Sequence, residues 1–245
     1  MEKLEQFIQR AELKVKTLKE RFRWLDRTEV ERLIDHTLLK PYASFEDLKD
    51  FFIQGSKFKF ASFCVNSAFV PYLKELSLNS NVFESKICAV VGFPLGAMLS
   101  SAKAQEAELA VRHGASEIDM VINIGFLKSK RFRKVLEDIE GVREVIGKEI
   151  ILKVIIETCY LSDEEKVIAT EIVKDSGADF VKTSTGFGPK GADPFDVALL
   201  SEVAEDKIKV KAAGGIRNYY SVCVFNALGA ERIGTSSGIK IMGEI

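Results

Sequence analysis

Four charged side chains stand inside stretches that otherwise read as buried β-strands. Asp119 sits in Glu-Ile-Asp-Met-Val-Ile and Lys153 in Ile-Leu-Lys-Val-Ile-Ile. Lys182 sits in Asp-Phe-Val-Lys-Thr-Ser-Thr-Gly and Lys211 in Lys-Ile-Lys-Val-Lys-Ala-Ala-Gly-Gly. Strands of a parallel sheet are covered on both faces and should be nearly continuous apolar runs. Lysine and aspartate are almost never fully buried unless paired. Four of them on neighbouring strands imply a shared polar centre. One reading is an ion-pair network that only holds the fold. The other is chemical. Burial disfavours the ammonium form of a lysine, and a second lysine nearby disfavours it further. A neutral amine can attack a carbonyl and form a Schiff base. On that reading Lys182 or Lys211 is the nucleophile, the other is its electrostatic neighbour, and Asp119 moves the protons. Spacing does not rank the two lysines.

Two glycine-rich segments near the C-terminus have the composition of anion sites. Gly214-Gly215-Ile216-Arg217 follows the seventh strand candidate, and Gly234-Thr235-Ser236-Ser237-Gly238 follows the eighth. Glycine lets backbone N–H groups approach a phosphate, and barrels of alternating strands and helices often bind phosphate after strands seven and eight. Gly186, Gly188 and Gly191 also match G-x-G-x-x-G formally. This match is rejected as a dinucleotide fingerprint. Pro189 lies inside it, and the next helix starts only around Asp193.

Counting excludes several classes. With two histidines, His36 and His113, a metal site built on several histidines is not expected. His36 is expected as a hydrogen-bonded core residue and His113 as a favourable charge at a helix C-terminus. Cys64, Cys88, Cys159 and Cys223 form no C-x-x-C pair and read as small core residues of a reducing compartment. Cys64 borders the expected mouth and is assigned no chemistry. Lys and Arg number 35 against 36 Asp and Glu, so no basic field invites nucleic acid. No apolar run is long enough to span a bilayer, and no signal or transit peptide is recognisable, so the cytoplasm is the expected location.

The elements that must position these residues follow from alternation. Strand candidates are Asp35–Leu39, Phe58–Val65, Lys86–Val91, Glu117–Asn123, Ile150–Ile156, Asp179–Thr183, Ile208–Ala212 and Arg232–Gly234. Amphipathic stretches lie between them, several opened by capping signals at Ser44, Ser162 and Asp193-Pro194. Strands alternating with helices mean parallel strands joined by right-handed crossovers. A chain of 245 residues with eight such units is expected to be one α/β domain, a (β/α)8 TIM barrel. An open doubly wound sheet is the alternative. Residues 1–27 are expected as a helical extension and 28–245 as the barrel. Leu4, Ile8, Ala11, Val15, Leu18, Phe22 and Leu25 form a heptad seam, so the first 25 residues read as one helix. Capping the bottom of the barrel is preferred for it over pairing with another subunit.

The residues Ile34–Leu39, Cys64-Val65-Asn66, Val91–Gly96, Glu117–Asn123, Lys153–Thr158, Val181–Phe187 and Lys211–Arg217 together resemble the deoxyribose-phosphate aldolase family. The match runs in unbroken order from about residue 28 to 238. Its most specific motifs are Lys-Thr-Ser-Thr-Gly-Phe and Lys-x-x-Gly-Gly-Ile-Arg. The resemblance ranks the lysines: Lys182 is the Schiff-base former, Lys211 the lysine that perturbs it, and Asp119 the acid/base partner. Gly186, Gly214, Gly215, Gly234, Ser236 and Ser237 match phosphate-binding positions, with Asp35 and Thr185 in support. It implies reversible cleavage of 2-deoxy-D-ribose 5-phosphate to acetaldehyde and D-glyceraldehyde 3-phosphate, in deoxyribonucleotide catabolism. It also implies no metal or other cofactor, and a homodimer or homotetramer. Some members end in a tyrosine that assists proton transfer, whereas here Tyr220 is the last tyrosine. Some place a lysine where this chain has Phe187. Two alternatives compete on the residues alone: a barrel isomerase or epimerase using Asp119 and a metal or cysteine without an imine, and a non-catalytic sugar-phosphate binder.

Overall fold

Short β-branched runs alternate with capped amphipathic helices, and the chain closes them into one barrel. A computed structural model describes residues 2–80 and 86–245. The strands are β1 (Ile34–Leu38), β2 (Ser62–Asn66), β3 (Ile87–Val91), β4 (Glu117–Val121), β5 (Ile151–Ile155), β6 (Phe180–Lys182), β7 (Lys209–Ala213) and β8 (Ala230–Thr235). All pair in parallel in sequence order, and β1 pairs with β8, so no edge remains. This is the expected (β/α)8 barrel, not an open sheet. A helix follows each strand, from Phe45–Gly55 after β1 to Gly238–Met242 after β8. Ser44 and Ser162 cap their helices with reciprocal bonds to Asp47 and Glu165, and Asp193 accepts from the Phe195 N–H with Pro194 in the first turn. Among the described residues, no helix is long and apolar enough to cross a membrane.

Several boundaries differ from the sequence reading. β2 begins at Ser62 rather than Phe58. The alternation Lys57-Phe58-Lys59-Phe60 imitates a strand, but it is a turn whose Phe58 and Phe60 rings stack 5.2 Å apart. β4 stops at Val121, because the Asn123 side chain turns back to accept from the Phe126 N–H and opens a new helix.

The N-terminal segment is not one helix. A helix covers Glu2–Lys16, a short one Leu18–Arg21, and residues 22–26 are not helical. The break falls at Thr17, whose hydroxyl bonds back to the Leu13 carbonyl. The segment reaches the bottom of the barrel beside β7 and β8, where Lys14 and Arg21 share a cavity with Val210 and Glu231. The first helix lies along Pro194–Ala204 on the outer flank, tied by Lys3 to Glu171 and by Lys14 to Glu202 and Ser201. The reason lies in the helix beneath. Pro194–Ala204 is apolar nearly all round, and its Val197, Leu199, Leu200 and Val203 are all buried. A helix without a polar face needs cover on its outer side. Phe7 and Ala11 provide that cover.

His36 is buried on β1 as expected, but it is not hydrogen-bonded: neither ring nitrogen has a partner among the described residues. It is packed by rings instead, stacked on Phe51 at 4.4 Å and set against Phe60 and Phe63. Desolvation by this cage pushes its pKa down to about 4. The unfolded chain therefore takes up a proton near pH 6.5 that the folded chain refuses until about pH 4. This group's contribution to stability is present above pH 6.5 and lost on acidification toward 4, a change of about 3 kcal/mol. We expect His36→Phe to gain about that much relative to the parent protein between pH 7 and pH 4. Urea unfolding at both pH values measures it; a difference that does not vary with pH would show that His36 does not govern the acid limb.

Candidate active site

Inward-facing positions of the strands carry charges in place of the usual apolar layers. Asp35 comes from β1, Glu117 and Asp119 from β4, Lys153 from β5, Lys182 from β6, Lys211 from β7 and Arg232 from β8. Register sets Asp119 beside Lys153 and Lys182 beside Lys211. Asp119 is the hub. Its Oδ2 accepts from Lys182 Nζ at 2.7 Å and Lys211 Nζ at 2.6 Å, and its Oδ1 from Lys153 Nζ at 2.8 Å. Asp35 takes Lys211 and Arg232, each at 2.5 Å, and the Ser62 hydroxyl at 2.6 Å. Glu117 joins Lys153 at 2.6 Å to Arg232 at 3.1 Å.

Burial raises the Asp119 pKa, but the ammonium groups of Lys153, Lys182 and Lys211 outweigh it and hold the carboxyl well below its ordinary range. Burial likewise opposes the charge on Lys211, and Asp119 with Asp35 overcomes it, so that ammonium is held above the usual lysine range. Lys211 thus rests as a cation. The two lysines differ further in access. Lys211 and Lys153 are sealed, whereas Lys182 lines an open cavity of about 230 Å3. Lys182 is thus the lysine of this network that lines the cavity.

Of the expected phosphate positions, Gly186, Gly214, Gly215, Gly234 and Ser236 line this cavity, as does Thr185. Ser237 does not. Its N–H is spent on Thr235 Oγ1 at 2.9 Å, and the Thr235 hydroxyl pins the β8 loop to the Ile216 carbonyl at 2.6 Å. Two exposed cations also line the cavity: Arg217, which ends the Gly-Gly-Ile-Arg segment, and Lys40, which no sequence motif marked. Phe187 lines it too, its ring edge-on to Phe93 at 5.3 Å.

The rejected glycine pattern has a packing role. Gly186 is left-handed at φ +87°. A Cβ on Gly191 would lie 2.2 Å from the Gly214 carbonyl oxygen, and one on Gly188 would lie 2.8 Å from Cys159 Sγ. Gly186 and Gly191 let the loop after β6 press its backbone onto the loop after β7, which forms one cradle from two loops, while Gly188 lets it pass Cys159 in the segment after β5.

Residues 30–243 match the model of the DeoC/LacD family aldolases. A deoxyribose-phosphate aldolase of Carboxydothermus hydrogenoformans is 50% identical over 218 residues, covering 88% of this chain and 94% of that one. Another, from Dictyoglomus turgidum, is 48% identical, covering 89% and 98%. The solved deoxyribose phosphate aldolase of Aeropyrum pernix superposes with a TM-score of 0.83 at 30% identity, covering 94% and 95%.

The chain belongs to the DeoC/LacD aldolase family.

Family membership leaves open which cations an aldolase of this kind keeps around its central carboxylate. Cys64, Cys88 and Asp119 converge to within 4.8 Å, a donor set that suits a soft metal. The set does not fit one, because Lys153, Lys182 and Lys211 already occupy both Asp119 oxygens and would repel a further cation. Cys88 instead donates to Asp119 at 3.2 Å, and burial pushes its thiol pKa up. Sequence reasoning missed Glu117 and Arg232 in this aldolase. Glu117 stands two residues before Asp119 on the same inward face, and that parity was the available signal.

Four buried cations, Lys153, Lys182, Lys211 and Arg232, meet three buried carboxylates, Asp35, Glu117 and Asp119. Losing an anion deepens the imbalance, and losing a cation removes it. Asp35→Asn should therefore cost about 3–5 kcal/mol, as when one partner of a buried pair is lost. Lys153→Met should cost less. Urea unfolding at pH 7 compares them; a larger loss for Lys153→Met would show that charge balance does not govern the network.

Proposed function

We propose that this chain reversibly cleaves 2-deoxy-D-ribose 5-phosphate to acetaldehyde and D-glyceraldehyde 3-phosphate through an imine on Lys182. One observation carries the reading. Lys182 is the lysine of the buried network that reaches the cavity, and the same cavity ends on the glycine cradle. The open-chain sugar fits with its aldehyde at Lys182 and its phosphate on Gly186, Gly214, Gly215, Gly234 and Ser236, with Arg217 and Lys40 at the rim. Imine formation requires a free amine. Removing one proton from the network leaves three cations against three carboxylates. The amine attacks C1, and the carbinolamine loses water with a proton from Lys211. A base, Asp119 directly or through water, removes the C3 hydroxyl proton, and the C2–C3 bond breaks. Glyceraldehyde 3-phosphate leaves, and the electron pair of the broken bond stays on the imine fragment as the enamine of acetaldehyde. Protonation at C2 and hydrolysis then free acetaldehyde and Lys182.

Borohydride with acetaldehyde should reduce the imine to a stable ethyl-lysine on Lys182, located by peptide mass mapping. An adduct on another lysine, or none, would sink the assignment. Lys182→Leu should lose cleavage by about 10⁴-fold or more, while circular dichroism shows an unchanged fold.

The same reading takes residues 1–27 as an extension to the barrel of residues 28–245, and the protein as a homodimer or homotetramer of the reducing cytoplasm. The four cysteines are free, and the Aeropyrum pernix aldolase is described as tetrameric. Phe45 and Tyr72 are exposed with their rings 4.4 Å apart and would be available for assembly. Light scattering should give two or four times 27.3 kDa, and removing residues 1–25 should leave that multiple unchanged. The extension covers this chain's own helix. A monomeric mass would overturn the assembly.

A further inference from the structure

Glu157 follows β5 and takes no part in the chemistry above. It is buried, and its backbone is left-handed at φ 53° and ψ 68°, a conformation that residues other than glycine seldom adopt. Its carboxyl group does not line the cavity. Among the described residues no lysine or arginine lies within ion-pairing distance of it. A buried carboxyl without a cation persists only where other donors converge on it. Here Thr185 of the neighbouring loop supplies two, and the Cys159 thiol stands beside the same carboxyl. The Thr185 N–H donates to Oε1 at 3.1 Å, and the Thr185 hydroxyl donates to Oε2. The Phe187 N–H in turn donates to Thr185 Oγ1 at 3.0 Å.

The loop so held is the β6 half of the phosphate cradle. Gly186 lies between the two clamped residues. Its Cα is 3.4 Å from where a Cβ on Gly214 would stand, so its position fixes how the two halves meet. Lys182 is held separately. It sits in the strand ladder between Ile155 and Lys211, and its amine rests on Asp119. Loop and amine are therefore set by different interactions.

We propose that Glu157 is a positioning residue that sets the cradle against the substrate phosphate, so that preference for the phosphorylated over the free sugar depends on it. This rests on the aldolase reading. Kinetics with deoxyribose 5-phosphate and with unphosphorylated deoxyribose test it. In Glu157→Ala the KM for deoxyribose 5-phosphate should rise about tenfold or more with kcat within about twofold, and kcat/KM for deoxyribose should stay within about twofold. Glu157→Gln keeps an acceptor for the Thr185 N–H and should recover most of the phosphate preference. It carries the same test, with a smaller ratio, if the alanine variant does not fold. Equal losses on both sugars, or an unchanged KM, would overturn the proposal as a purely structural effect. Failure of the unaltered protein to cleave either sugar would overturn the aldolase reading and this assignment with it.

Discussion

Everything in the barrel's interior depends on one carboxylate, that of Asp119, held between three lysine ammonium groups. Removing four charged groups from water costs several kcal/mol each even after relaxation. That cost is met only if every ammonium reaches a carboxylate at hydrogen-bonding distance, which requires strands far apart in sequence to converge. Asp119 and Lys211 are separated by 92 residues, and Asp35 and Arg232 by 197. In an open sheet with these strands in order, β1 and β8 would be opposite edges and Asp35 could not reach Arg232. Closure is thus a condition of the electrostatics as well as a way of hiding edge strands.

Within the network the groups are arranged to stay charged near neutral pH. Asp119 and Asp35 are held below the ordinary carboxylate range by their lysines, so what they add to stability persists above that range and is lost only on acidification. Lys211 is held above the ordinary lysine range, so its contribution is present at lower pH and is lost only at strongly alkaline pH. Both losses lie far from neutrality. In the resting site these charged partners shape the field at Lys182.

The sequence made the chemistry legible wherever a rule was broken conspicuously. A lysine inside Ile-Leu-Lys-Val-Ile-Ile has no bland explanation, so the centre and the strands carrying it emerged together. The residues that escaped broke no visible rule. Arg232 stands at the expected start of a strand, where a charge is ordinary. Glu157 follows a strand, where polar residues are ordinary, and its importance comes from a loop 28 positions away. The path of the N-terminal helix was hidden for another reason. Its seam showed that the helix must pack, but the surface it packs on is set by the missing polar face of Pro194–Ala204, a property of another element.

The glycines show why motif and mechanism part company. In a dinucleotide site, G-x-G-x-x-G serves the ligand directly, through backbone approach to a pyrophosphate at a helix N-terminus. Here Gly188 and Gly191 serve the fold, because side chains at those positions would collide with Cys159 and with the Gly214 backbone. Only Gly186 of the three reaches the cavity. Binding then requires two loops to be pressed together before either meets a phosphate, and that demand falls on residues outside the cavity. Rigid strands can hold lysines without such help, because the ladder already fixes them. A loop with no ladder needs a clamp, and a buried carboxyl facing backbone and hydroxyl donors is the chemistry best suited to one.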